Sequence, residues 1–361
     1  MERLYTLQGL RGLAVLGVVL FHMMSVEDRF SGGDSLLPGF VISFQLGVDL
    51  FFVISGYVMV LVSRGRFQQR IEAQRFLFNR FARIYPTYWL YFFITLAVYL
   101  LQPALVNSGH GPSNLLMSFL LLPSDKVLLV MVAWSLVFEL WFYVVFSGFL
   151  LLRERSLPAL LAFWAAGIVA FNAAFDWQDQ GPALQIMLHP YALEFIIGAA
   201  LSLFLQGRHS ERLPTPALWT LLGAAVLVGL PLLGWLRIHE TQGLSRMITV
   251  GVTFGTIVLS LALLERRGDL TTPAWLVALG DMSYTVYLSH LLVIGVMGRL
   301  WAQLGAWPQS LLDNLVFIAL TLAATVCYGW VGYHWFEKPV LDRANALSKR
   351  RFKTGTPAVV R

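Results

Sequence analysis

The chain divides into ten apolar runs of near-membrane length, at about 7–25, 39–62, 84–105, 127–152, 157–175, 184–205, 216–236, 247–264, 282–300 and 311–335. A helix rises about 1.5 Å per residue, so each run can cross a hydrocarbon core of about 30 Å. In lipid, every backbone N–H and C=O must find its partner inside the protein, so only helices and closed barrels span. Continuous apolar runs of this length specify helices. The expected fold is therefore all-α: a polytopic integral membrane bundle of about ten transmembrane helices. Composition agrees, with 57% hydrophobic and 13% charged residues against about 25% charged in soluble domains. The run "NLLMSFLLLP" at 114–123 is too short to cross and reads as re-entrant or interfacial. Residues 273–280 read as a short interfacial helix before the ninth span.

Basic residues orient such a chain. Of 26 Lys and Arg, 20 fall at the N-terminus, in alternate loops and in the tail after Trp335. Five (Arg29, Lys126, Arg237, Arg246 and Arg299) fall on the other side, and Arg11 lies inside the first span. Both termini are expected to be cytoplasmic, as an even span count requires. The net charge of +6 then reports orientation and not nucleic-acid binding. The first span contains Arg11 and lacks a small-x-small cleavage site, so it is expected to be retained. No linker divides the chain, which reads as one transmembrane domain over 1–338 and a basic cytoplasmic tail over 339–361. Pro339 is expected to stop the last span.

Charged groups inside spans are costly, about 2.5–3.5 kcal/mol each on insertion scales, and face the bundle interior. Arg11 and His22 are eleven positions apart in "LQGLRGLAVLGVVLFHMM". Three helical turns plus about 20° put them on one face, roughly 16 Å apart along the axis. On that pair alone, a boundary arginine and an interhelical histidine explain the pattern as well as chemistry does. "FQLGVDLFFVISGYVMV" places Asp49 at a depth similar to His22. A carboxylate beside an imidazole fixes its tautomer and favours a general base. In the same run Ser55 and Gly56 allow close helix approach. "VAWSLVFELWFYVVF" buries Glu139 with no partner nearby in sequence, leaving His22 and Arg11 as candidates. "RFLFNRFARIYPTYW" carries Arg80 and Arg83 on one helix face at i, i+3, a geometry that can hold phosphate but equally suits a headgroup anchor. "GDMSYTVYLSHLLV" sets Ser283, Tyr287 and His290 in one polar stripe, lining a substrate passage or bonding between helices.

A G-x-S-x-G elbow, a P-loop and a metal-spaced cluster are all missing from the sequence, and the single Cys327 cannot form an internal disulfide. That argues against a resident serine hydrolase, an ATPase or a zinc enzyme. Intramembrane Arg, His, Asp and Glu also suit a transporter or flippase of an acyl donor or glycan intermediate, acting as a charge relay, although no inverted repeat supports it.

Taken together, "LRGLAVLGVVLFH", "GVDLFFVISGY", "RFARIYPTYW", "WSLVFELWFY", "SYTVYLSH" and "WFEKP" occur in one order across nearly the whole chain. In this the chain resembles membrane-bound acyltransferase family 3, and within it the stand-alone exopolysaccharide O-acetyltransferases of bacteria. The resemblance implies a multi-pass protein of the bacterial inner membrane that moves an acyl group, usually acetyl from acetyl-CoA, to a hydroxyl. The acceptor it implies is a cell-surface glycan or a lipid-linked saccharide, with no metal required. It implies a catalytic role for His22 and an essential one for Arg11, and the buried carboxylates Asp49 or Glu139 are then the residues expected to orient the His22 ring. It associates Arg11, Arg80 and Arg83 with the acyl-CoA end. Ser55, Tyr287 and His290 become candidates for contact with substrate. Some relatives carry an added extracytoplasmic SGNH-type domain, which the 26 residues after Trp335 are expected to exclude here.

Overall fold

The structure, a computed structural model, describes residues 4–30, 36–37, 39–107, 111–207, 210, 212–241, 243–304 and 311–352. Arg3, Arg208 and residues 353–361 of the expected tail lie outside them, as do His110 and His209. Among the described residues every regular element is a helix. In chain order these are α1 (Tyr5–Phe30), α2 (Gly47–Ser63), α3 (Arg70–Leu101), α4 (Leu115–Leu120), α5 (Trp134–Phe149), α6 (Leu157–Ala174), α7 (Pro182–Met187), α8 (Tyr191–Gln206), α9 (Thr215–Ala224), α10 (Leu230–Trp235), α11 (Leu244–Arg267), α12 (Ala274–Asp281), α13 (Ser283–Leu304), α14 (Leu311–Gly332) and α15 (Lys338–Arg351). Ten helical stretches are long and apolar enough to cross a membrane. The chain is a multi-pass membrane protein with the expected ten spans.

Two boundaries differ from the sequence expectation. The third span was expected to start at 84, after a basic loop over 63–83, yet α3 begins at Arg70. Its first turn is closed by Glu72, which pairs with Arg75 one turn on at 3.5 Å and with Arg66 at 3.9 Å. Arg80 and Arg83 therefore sit on a rigid helix. Pro339 does not stop the last span either, because α15 continues directly from α14. Residues Tyr333–Glu337 form a π-helical turn just before it. The wider i→i+5 turn moves the carbonyl that the proline ring would strike, so the helix runs on.

The centre of the bundle is the crossing of α2 and α8. Gly56 faces the carbonyl of Phe195, and Gly198 faces the carbonyl of Val53. A β-carbon at either glycine would overlap a backbone oxygen, so the two helices touch main chain to main chain. The aromatic rings of Phe52, Phe142 and Phe195 pack beside this crossing, with Phe142 and Phe195 centroids 4.9 Å apart.

Helix α1 is fixed near both ends. The Glu265 carboxylate of α11 accepts from the Tyr5 and Thr6 amides at 2.7 and 2.9 Å, satisfying donors that a helix N-terminus leaves open. Gln8 donates to Asp281 at the end of α12 at 2.7 Å. Toward the other end the buried Glu27 accepts from the Leu36 amide at 2.6 Å and from Asn314 of α14 at 3.2 Å. The run at 114–123 forms the short α4. Tyr85, Tyr88 and Trp89 of α3 donate to its carbonyls at Leu120, Ser118 and Phe119. The Phe119 and Leu120 carbonyls are among those a helix C-terminus leaves open, and the Ser118 carbonyl also accepts from the Leu121 amide at 3.3 Å.

Gly56→Ala and Gly198→Ala are each expected to destabilise the protein by about 1–3 kcal/mol through overpacking. Gly167→Ala, where a β-carbon meets nothing within 4 Å, leaves stability unchanged. Thermal unfolding in one detergent compares the three.

Candidate functional site

Three cavities lie in series through the bundle. The first opens at its basic end, has a volume of about 340 Å³, and is lined by Arg66, Glu72 and Asn79 with Arg80 and Arg83. The second, of about 100 Å³, shares Arg80 and Arg83 with the first and adds Arg11, Ser55, Glu139 and Tyr143. The third, of about 230 Å³, shares Val48 and Tyr287 with the second and holds His22, Gln45, Asp49, Trp134, Tyr191 and Arg246. Arg11 and His22, on one face of α1, thus line consecutive chambers.

The central chamber is cationic. Among the described residues, Arg11, Arg80 and Arg83 form no ion pair with a carboxylate. Arg11 instead lies over the Phe51 ring at 5.9 Å, and Arg80 lies over Phe76 and Tyr143 at 5.4 and 5.8 Å. Glu139 accepts from Ser55 at 3.1 Å and from Tyr143. Glu337, buried behind the chamber, accepts from Thr285 at 2.5 Å. Arg11 and Arg83 lie within electrostatic reach of one another and of these carboxylates. Three guanidiniums against two carboxylates leave an excess of positive charge in a region poor in water. Such a site attracts an anion of matching size.

The third chamber contains a buried ion pair. Arg246 grips Asp49 with both nitrogens, Nη1 to Oδ1 at 2.8 Å and Nη2 to Oδ2 at 3.2 Å. Tyr191 lies under the guanidinium at 5.4 Å. Glu194 of α8 is fully buried beside Asp49. The His22 ring meets Phe21 edge-on at 4.8 Å and His290 at 5.0 Å.

Two expectations are corrected here. Asp49 pairs with Arg246 and makes no hydrogen bond to His22 among the described residues, although both line the third chamber. Glu139 does not reach His22 either, since its carboxylate belongs to the neighbouring chamber with Ser55 and Tyr143. The stripe on α13 also divides. Ser283 and Tyr287 line the central chamber, whereas His290 sits behind His22 and lines neither chamber. Tyr287 donates to the Val132 carbonyl at 2.8 Å and contacts Ser135 at 2.8 Å, so it forms the wall between chambers. His189 caps α8 by accepting from the Tyr191 amide at 3.1 Å, in keeping with its boundary position.

The sequence reading missed Arg246 and Glu337. Arg246 was counted as a loop cation, though it lies one position before an apolar run and is only 6% exposed. Glu337 lies in "WFEKP", where the linear sequence shows no partner for it. Its proximity to Arg11 and Arg83 depends on α14 continuing past residue 332, which the sequence does not advertise.

The fold and its charged interior define an integral membrane protein with an arginine-lined chamber near one face and titratable groups deeper in the bundle. The family model for an acyltransferase domain, that of acyltransferase family 3, matches residues 4–334. The chain belongs to that family. It is 31% identical to the exopolysaccharide production protein ExoZ of Rhizobium meliloti over 83% of this chain and 90% of that protein. It is 28% identical to the acyltransferase MdmB of Streptomyces mycarofaciens over 97% and 94% of the two chains. It is 26% identical to the putative peptidoglycan O-acetyltransferase YrhL of Bacillus subtilis over 96% of this chain and 56% of that protein. No solved structure matches the chain.

Arg246→Met leaves Asp49 buried without its cation and is expected to cost about 3–5 kcal/mol. The double variant Asp49→Leu/Arg246→Met recovers part of that loss, because both charges are gone. Unfolding midpoints of the single and double variants measure the difference.

Proposed function

We propose that this protein is an O-acetyltransferase of the bacterial inner membrane. It takes acetyl from cytoplasmic acetyl-CoA and delivers it to a hydroxyl of an extracytoplasmic or lipid-linked glycan. The observation that carries the reading is the series of cavities that begins at arginines without carboxylate partners and ends at His22. The names of ExoZ and YrhL, which refer to exopolysaccharide and peptidoglycan, support a glycan acceptor.

In this scheme the CoA phosphates bind at the basic mouth, against Arg66, Arg80 and Arg83. Charge-assisted hydrogen bonds there replace hydration that phosphates cannot lose unpaired. Arg11 grips the donor further in, and the pantetheine arm follows α1. The rise from Arg11 to His22, roughly 16 Å, suits a donor whose charged end and thioester are far apart.

The acceptor sugar occupies the third chamber. Gln45, Asp49 and Arg246 offer hydrogen bonds there, and Trp134 and Tyr191 offer ring faces. His22 removes the proton from the acceptor hydroxyl as its oxygen attacks the thioester carbonyl. The tetrahedral intermediate collapses, the C–S bond breaks, and the CoA sulfur leaves with the proton held by His22. No protein nucleophile is needed. Ser55, which donates its hydroxyl to Glu139, helps shape the donor chamber.

Acetyl-CoA-dependent acetylation of glycan in membranes, followed by release of free CoA thiol, tests the scheme. Arg80→Gln and Arg83→Gln are each expected to raise the acetyl-CoA KM about 10–100-fold, the worth of a hydrogen bond to a charged group. His22→Gln lowers kcat by about 10²–10⁴-fold, the usual contribution of a general base, and leaves donor binding intact. Normal turnover by His22→Gln overturns the scheme.

A further inference from the structure

A general base needs something behind it to hold its tautomer and orientation, and among the described residues neither Asp49 nor Glu139 bonds to His22. Asp49 is held by Arg246, and Glu139 by Ser55 and Tyr143. Two ring nitrogens remain. His22 Nδ1 and His290 Nε2 are both buried, and neither has a hydrogen-bond partner among the described residues. They belong to rings whose centroids are 5.0 Å apart at an interplanar angle of 74°.

The tautomer of His290 follows from its other nitrogen. Its Nδ1 lies 2.7 Å from the Tyr287 carbonyl oxygen one helical turn back. A carbonyl only accepts, so Nδ1 carries the proton. In the neutral ring Nε2 is then a lone-pair acceptor. The His290 side chain is fully buried on α13 and held by its own backbone, so this acceptor is fixed in place. The ring packed against it is His22.

We propose that His290 is the positioning residue of the reaction: its Nε2 accepts the Nδ1 proton of His22, which leaves His22 Nε2 as the free base directed to the acceptor hydroxyl. The inference rests on His22 being the base. Catalytic hydrogen bonds are often long before substrate binds and tighten in the complex, and the rings are already packed edge to face at 5.0 Å between centroids. When His22 takes the acceptor proton on Nε2, its Nδ1 proton stays in place and continues to bond to His290. No proton passes to His290, and no permanent charge is required beside the base in the membrane interior.

The test compares His290→Gln, which carries an amide oxygen able to replace the Nε2 acceptor, with His290→Leu, which fills the space and accepts nothing. Glycan acetylation in membranes is measured for both, with acetyl-CoA KM and kcat taken separately. The expected result is a kcat for His290→Leu at least about tenfold below wild type with KM unchanged, while His290→Gln recovers most of the loss. Equal kcat for wild type and both variants overturns the inference but leaves the function above standing, whereas normal turnover by His22→Gln overturns the function itself. If His290→Leu does not fold, ¹⁵N spectra of histidine-labelled wild-type protein decide the matter, with the His22 signals identified by their loss in His22→Gln. A His22 protonated on Nδ1 supports the proposal, and one protonated on Nε2 overturns it.

Discussion

Three arginine side chains inside a helical membrane bundle, with too few carboxylates to neutralise them, set the terms for the rest of this structure. A buried guanidinium is tolerated only where polar or aromatic groups, or a bound anion, replace its water. Here Phe51, Phe76 and Tyr143 give Arg11 and Arg80 ring faces, and Glu139 and Glu337 supply part of the opposing charge. The remainder of the positive charge is what the proposed function assigns to the anionic donor. Holding those groups apart from a carboxylate requires rigid supports. The extended α3 supplies one, carrying Arg80 and Arg83 on helix just before the point where its apolar run begins.

The other ionic cluster has the opposite character. Asp49 and Arg246 are matched bidentately, and the pair ties α2 to α11 where α8 crosses between them. Breaking such a pair is far worse than never having it, so it fixes how three helices pack. The same cluster lines the third chamber. His22 lines it too, but Asp49 has Arg246 as its partner.

Close packing makes this separation of roles possible. At Gly56 and Gly198 the backbones of α2 and α8 meet directly, which brings Asp49 on α2 close to Tyr191 and Glu194 on α8. Asp49 then faces one chamber and Ser55 the other. A wider crossing would merge the chambers and let the carboxylates choose different partners.

Much of this was legible in the sequence. The ten apolar runs specified ten spanning helices, because a segment in lipid must satisfy its own backbone. Helical spacing put Arg11 and His22 on one face, and Arg80 and Arg83 on another. Six ordered motifs pointed to the family. Hydropathy could not locate the start of α3 or the continuation through Pro339, since a charged amphipathic turn and a π-helical turn look like loop and stop signals in a linear chain. Pairing was also beyond its reach. Asp49 chose Arg246 from 197 residues away, and His22 came to pack against His290. Sequence by itself determined which residues lie at which depth and on which helix face, because those follow from rise and rotation per residue. Only the tertiary structure decided which charge meets which, because partners across a bundle are set by helix crossings and by competition among donors for the same buried oxygen atoms.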